Sequence, residues 1–152
     1  MRLIKMAVLF AGMLGAQVAG AQIVKEPAEW TVETKKTGAD SYDIIFHLKL
    51  KTGWHIYSLT PGGDGSLIAP SFKLDNSTGV KLNGAVSEKG KMVKKKMEGI
   101  KGVVNYYSGT VDYTQPVTAT GTPRVTGSYR YQVCTDEMCL PPKTKKFDVI
   151  LK

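Results

Sequence analysis

The chain has 152 residues, of which 42% are hydrophobic and 22% are charged, a composition typical of one globular domain. Its 21 Lys and Arg residues against 13 Asp and Glu residues give a net charge of +8. Because the chain has only two Cys and two His residues, the sequence excludes a scaffold with several zinc ions and a small fold held by many disulfides.

The first 21 residues have the pattern of a secretory signal peptide. Arg2 and Lys5 form a basic start, an apolar stretch follows, and residues 19–21 supply the small side chains that a signal peptidase requires. The apolar stretch is broken by glycines and is short for a membrane span of about 20 residues. We therefore expect cleavage of residues 1–21, a periplasmic domain over residues 22–152, and no stable membrane insertion.

The remaining sequence is patterned as short β-strands in chain order. Apolar and polar residues alternate over residues 42–50, which indicates a half-buried strand. Residues 103–117 are rich in β-branched and aromatic side chains and predict strands with a turn at Ser108 and Gly109. Seven to nine such strands with little helical periodicity predict an all-β sandwich, with a barrel as the alternative. The other predicted strands lie at residues 30–32, 54–58, 71–74, 80–82, 129–134 and 147–151.

Two segments are predicted as long loops rather than strands. Residues 59–70 are rich in Gly and Pro, and residues 89–102 are basic with scattered Met and Ile. Long loops on a rigid β scaffold are frequent sites of function. The three lysines at 94–96 would attract an acidic partner or an anionic surface, although a solvated loop is the favoured interpretation.

The two cysteines are separated by four residues in the segment VCTDEMCLPP. A strand that ends near Cys134 and turns would return Cys139 to bonding distance. Closing so short a loop stabilises a fold by only about 2 kcal/mol in the chain-entropy estimate. Spacing alone leaves a redox-active pair and a structural staple equally open. Pro141 and Pro142 follow the pair, so no helix N-terminus activates a thiol in the way typical of thioredoxin-like sites.

The two histidines provide less specific signals. Two Cys with His47 and His55 would give four zinc ligands, but the spacing is not that of a zinc site, and we expect neither a metal nor another cofactor. His55 and Tyr57 would flank the cysteines and influence proton transfer, although packing as strand aromatics is favoured. Basic and aromatic residues are not interleaved, so nucleic acid is not an expected partner.

The segment from Tyr131 to Cys134, followed by Cys139-Leu140-Pro141-Pro142, resembles the active-site segment of the family formed by the N-terminal periplasmic domain of the thiol:disulfide interchange protein DsbD. The resemblance extends to residues 53–58 (GWHIYS), 107–111 (YSGTV) and 114–117 (TQPV), and so covers most of the chain beyond the signal peptide.

This resemblance implies an immunoglobulin-like sandwich that exchanges thiols and disulfides. It implies that reducing equivalents arrive from the thioredoxin-like domain of a membrane electron carrier and leave to oxidised periplasmic thiol proteins. In the family the second cysteine forms the mixed disulfide, which assigns attack to Cys139 and resolution to Cys134. The membrane segments and C-terminal thioredoxin-like domain of full-length DsbD are expected on separate polypeptides.

The family also shields its cysteines with a mobile cap loop, and the matching region here is residues 97–103. Met97 and Ile100 are the candidate covering side chains, since this stretch has no aromatic residue of the kind that the family's cap carries. The alternative function is a non-catalytic immunoglobulin-like binding module whose disulfide only ties a hairpin.

Overall fold

The computed structural model describes residues 26–75 and 79–152, so the predicted signal peptide lies outside the described residues. The described part contains ten β-strands and no helix that is long and apolar enough to cross a membrane. The strands are β1 (Ala28–Lys36), β2 (Ser41–Leu50), β3 (His55–Gly62), β4 (Ser71–Leu74), β5 (Val80–Leu82), β6 (Ser87–Lys95), β7 (Val104–Ala119), β8 (Arg124–Tyr131), β9 (Val133–Cys134) and β10 (Lys143–Ile150).

The strands form two antiparallel sheets that pack face to face. In the larger sheet, β7 pairs with β2 and β3 on one side and with β5 and β6 on the other. Strand β1 extends this sheet beyond β2, and β9 extends it beyond β3. The smaller sheet has the order β10-β8-β4. The prediction of an all-β, immunoglobulin-like sandwich is confirmed.

Aromatic side chains from both sheets fill the space between them. The ring of Phe46, which is fully buried, has its centroid 4.7 Å from that of Phe72 and 5.0 Å from that of Phe147. Trp30 packs against Tyr129 with their centroids 4.8 Å apart. Burying each such ring contributes about 1.5–3 kcal/mol. We call this set the main core; its largest buried side chains are Tyr113, Tyr131, Phe46, Ile44 and Leu48.

The predicted turn at Ser108 and Gly109 is wrong, because β7 passes through this point without reversing. Gly109 has a φ of 86°, a conformation that glycine adopts without steric cost. Beside it, the neighbour of β7 changes from β2, at Thr110, to β3, at Ser108. The turn-forming residues therefore mark a bend where one long strand changes partner.

The two predicted loops are both shorter than expected. Strand β6 occupies the start of the basic segment, and β3 continues to Gly62, inside the segment rich in Gly and Pro. Strand β6 lies at the edge of the sheet, where lysines point to solvent and also discourage pairing with other chains. The basic composition of this segment therefore led to the prediction of a loop where the structure has a strand. The remaining parts of the two segments lie close together, since the Gly63 amide donates at 3.0 Å to the carbonyl of Val103, the residue that directly follows the basic segment.

Candidate functional site

The two cysteines form a disulfide at one end of the larger sheet. Cys134 ends β9, and Cys139 follows after a loop of four residues, with 4.0 Å between the two Cα atoms. Because β9 pairs with β3, Cys134 lies directly opposite His55. The structure thus brings together three of the residues that the sequence singled out.

The loop between the cysteines is held closed mainly by Thr135, whose importance the sequence analysis did not identify. The Thr135 amide donates to the Met138 carbonyl at 2.7 Å, and its hydroxyl oxygen accepts from the amides of Glu137 and Met138 at 3.2 and 3.1 Å. A threonine that accepts from amides two residues further on is a common loop device. Beyond the disulfide, the Leu140 amide donates to the Val133 carbonyl at 3.0 Å, so both flanks of the pair are fixed.

The two cysteines differ strongly in exposure. Cys134 is 1% exposed, whereas Cys139 is exposed and lines a surface groove of about 470 Å³. Cys134 belongs to a small apolar cluster that is separate from the main core, with Tyr57 and Val104 as its other buried members. We call this set the cysteine cluster; the half-buried side chains packed against it are Leu67, Met97, Ile100 and Tyr106.

The segment of residues 97–103, which we call the cap loop, lies over the cysteine cluster. Met97 and Ile100, the two residues proposed from the sequence as covers, pack against the cluster and line the same groove as Cys139. The Ile100 amide donates to the Met97 carbonyl at 3.3 Å and so closes a turn. Further polar contacts hold the loop as well, since the Gly63 amide donates to the Val103 carbonyl at 3.0 Å and the Lys101 backbone hydrogen-bonds to Asp64. Its position therefore depends on apolar packing together with backbone hydrogen bonds.

Two further contacts lie at the ends of the cap loop, one at its last residue and one at the end of β6 just before it. A Cβ atom at Gly62, where φ is 70°, would lie 2.3 Å from the Val103 carbonyl oxygen, so the backbone approaches here as only glycine allows. On the other side, Lys95 Nζ lies 3.8 Å from a carboxylate oxygen of Asp136 in the cysteine loop. Both side chains are exposed, so this ion pair contributes at most about 1 kcal/mol.

His55 and Tyr57 both adjoin Cys134, as the sequence suggested, and both are packed among aromatic rings. The ring of His55, which is 4% exposed, has its centroid 4.8 Å from that of Tyr106 and 5.4 Å from that of Tyr57. Burial lowers the pKa of His55, which is therefore neutral at pH 7, and burial raises the pKa of Tyr57. Within the described residues, His55 Nε2 is buried and has no hydrogen-bond partner.

His47 lies away from the cysteines. It is in β2, where its Nδ1 is 2.7 Å from Asp112 and its Nε2 is 3.1 Å from Glu33. Asp112 is four positions along β7 from Ser108, which pairs with His55. The structure therefore does not bring the two histidines and two cysteines together, and no group of three potential metal-ligating residues occurs in the described ranges.

Glu88, the second residue of β6, lies near the site. The sequence provided no signal for it, because β6 was not predicted to be a strand. Its carboxylate accepts from the Leu59 amide at 2.8 Å and from the Ser58 hydroxyl. These contacts lie where β3 departs from regular pairing with β7, between Tyr57 and Gly62. Glu88 therefore secures the strand that carries His55 and Tyr57 beneath the cap loop.

Comparison with known proteins relates the sequence to one family. The family model for the N-terminal domain of the thiol:disulfide interchange protein DsbD matches residues 20–151. No curated protein matches the chain by sequence.

Two solved structures share the fold. The N-terminal periplasmic domain of ScsB from Proteus mirabilis is similar with a TM-score of 0.60 at 15% identity, over 84% of this chain and 47% of that one. The chain thus spans about half of that structure's length. The reduced N-terminal domain of DsbD from Neisseria meningitidis is similar with a TM-score of 0.51 at 21% identity, over 78% and 82% of the two chains.

Proposed function

Since the chain belongs to the family of the N-terminal domain of the thiol:disulfide interchange protein DsbD, we propose a direction and a set of partners for its thiol-disulfide exchange. The protein accepts reducing equivalents from the thioredoxin-like domain of a membrane electron carrier. It passes them to oxidised thiol proteins in the periplasm, to which residues 1–21 direct it. The chain uses its own two sulfurs and needs no cofactor.

The unequal exposure of the two sulfur-bearing residues is the observation that carries this proposal. Cys139 is exposed in the groove, whereas Cys134 is buried in the cysteine cluster. Thiol-disulfide exchange requires access to the sulfur that is attacked or that attacks. A partner therefore meets Cys139 first, and Cys134 acts from within the protein.

Each cycle of exchange then has two steps. In the reduced protein, the Cys139 thiolate attacks one sulfur of a partner disulfide, and the other partner sulfur leaves as a thiolate. Cys134, as a thiolate, then attacks Cys139, the bond between Cys139 and the partner breaks, and the partner leaves as a dithiol. Two electrons have passed to the partner, and a thioredoxin-like dithiol restores the reduced state through the reverse sequence.

The cap loop makes this exchange selective. Met97 and Ile100 pack over the cysteine cluster and share the groove with Cys139, so a partner displaces or contacts these side chains when it docks. Displacing the loop breaks this packing and the hydrogen bonds that join residues 101 and 103 to residues 63 and 64, and contacts with a docking partner offset that cost. Small thiols that offer no docking surface obtain no compensation for that cost, and they react slowly.

The test is covalent capture in the compartment to which the protein is exported. A Cys134→Ala variant retains the exposed sulfur but cannot resolve a mixed disulfide, so it accumulates adducts that a reductant releases. We expect thioredoxin-like proteins and periplasmic thiol proteins among them. The matched Cys139→Ala variant retains only the buried sulfur and is expected to form none. Equal adducts on both variants, or none on either, would contradict the proposal.

One observation favours the alternative of a binding module with a structural disulfide. The hydrogen bonds of Thr135 and Leu140 hold the cysteine loop in a hairpin, and a staple at this place would reinforce it. In that case replacing both cysteines by serine would leave the oxidation state of all exported proteins unchanged. If the protein instead reduces exported proteins, the same double replacement makes their oxidised forms accumulate.

A further inference from the structure

His55 lies directly across from the buried cysteine, on the neighbouring strand. His55 and Cys134 are direct partners in the antiparallel pairing of β3 with β9, and such partners project to the same face of a sheet. Both residues are at least 95% buried, with 4% and 1% exposure. In the disulfide form His55 Nε2 has no hydrogen-bond partner among the described residues, Cys134 Sγ included. An unpartnered buried nitrogen costs free energy, and a thiol at Cys134, formed when the disulfide opens, would offer it a donor.

The second step of the proposed exchange needs such a group. Only a thiolate attacks a disulfide, and burial in the apolar cysteine cluster disfavours the thiolate of Cys134. Water that would remove the thiol proton is excluded by the same burial. A proton acceptor inside the cluster would let the closing step proceed at neutral pH.

The groups around His55 leave it free to accept a proton. Tyr57 and Tyr106 contact its ring from β3 and β7. Asp136 in the cysteine loop favours the charged imidazole and Lys95 at the end of β6 disfavours it, and these two groups pair with each other. Burial is the largest influence and keeps the ring neutral. The other charged residues that line the groove are Lys96, Glu98 and Glu137.

We propose that His55 Nε2 accepts the Cys134 thiol proton as this sulfur attacks Cys139 in the mixed disulfide. The S–H bond breaks as the N–H bond forms, the Cys134–Cys139 bond forms, and the bond between Cys139 and the partner breaks. The partner sulfur leaves with the electron pair and takes up a proton from the imidazolium or from water. In the reverse reaction the imidazolium protonates Cys134 as it leaves. This role rests on the proposed function.

The test separates the two steps with dithiobisnitrobenzoic acid, an aromatic disulfide that releases a coloured thiolate at each step. Reduced protein releases the first equivalent when Cys139 attacks and the second when Cys134 closes the disulfide. We expect His55→Phe, which preserves the ring packing, and His55→Gln, which preserves polarity, to slow the second release about a hundredfold at neutral pH, the low end for a general base. His47→Gln is the matched control and leaves both rates unchanged.

The pH profile distinguishes proton transfer from a packing effect. We expect the difference between wild-type and His55 variants to close at alkaline pH, where the Cys134 thiol ionises unaided, while the first release stays unaffected throughout. A second release that is equally fast in the variants, or slowed by one factor at every pH, overturns the role of His55 and leaves the proposed function standing. A wild-type protein that never makes the second release overturns both.

Discussion

The main core and the cysteine cluster are both apolar, but they are covered in different ways. The main core is closed between two sheets, and its largest side chains, such as Phe46 and Tyr113, are inaccessible to solvent. The cysteine cluster is closed by half-buried side chains of two loops, Met97 and Ile100 of the cap loop and Leu67 of the segment after β3. The first arrangement provides stability. The second shields Cys134 from solvent while Cys139 stays accessible to a partner.

The largest effect on stability is expected in the main core. Phe46→Ala removes a fully buried ring that contacts Phe72, Tyr129 and Phe147, and such truncations cost about 3–5 kcal/mol. The free energy of unfolding from denaturant titration measures this loss. The rate of exchange at Cys139 in the folded fraction is expected to stay unchanged. If exchange accelerates as much as stability falls, the two regions are not separate.

A smaller loss of stability is expected where the backbone of β3 meets the cap loop. Gly62→Ala forces a Cβ atom against the Val103 carbonyl oxygen, and we expect a cost of about 2–4 kcal/mol from the overpacking and the strained φ together. Gly65→Ala is the control, because its φ is also positive but no atom lies within 4 Å of the added Cβ. Only Gly62→Ala is expected to accelerate reduction of the disulfide by dithiothreitol. Equal acceleration in both variants would contradict a cap held at this contact.

Truncating the cover itself separates reactivity from stability. Ile100→Ala and Met97→Ala remove half-buried groups, so we expect a loss of only about 1 kcal/mol but a severalfold faster reduction of the disulfide by a small thiol. Val149→Ala removes a partly buried group that packs on the main core, and it is expected to cost a similar free energy without changing that rate. Unchanged reduction rates in both cap variants would show that these side chains do not cover the site.

The smallest effect concerns His47, far from the cysteines. Burial lowers its pKa, but hydrogen bonds with Asp112 and Glu33 outweigh burial and raise the pKa above its usual value. The stability from this contact is therefore present below about pH 6.5 and is lost as pH rises through the folded-state pKa. Because the side chain is 35% exposed, we expect less than 1 kcal/mol. Denaturant midpoints of wild-type and His47→Gln should differ at about pH 6 and converge at about pH 9.

The sequence pattern predicted those features of the fold that depend only on residues close together in the chain. The alternation in β2 follows from one strand with one buried face, and the pairing of Cys134 with Cys139 needs only a short hairpin. Strand β6 was not predicted, because its lysines are acceptable only at a sheet edge, and the edge is created by pairing with β7. The cap loop at residues 97–103 was expected from the family resemblance, but the unequal exposure of the two cysteines was not predicted, since it depends on which cysteine packs beneath that loop.

The equilibrium between the Cys134–Cys139 disulfide and a thioredoxin-like dithiol tests most directly whether the two cysteines exchange electrons with partners. Oxidised protein is mixed with the reduced form of such a protein across a range of ratios, and the fraction of free Cys139 is measured. We expect ready exchange and a reduction potential above about −300 mV, the range of disulfides that are opened during function. A bond that stays closed, or a potential well below that value, would contradict it.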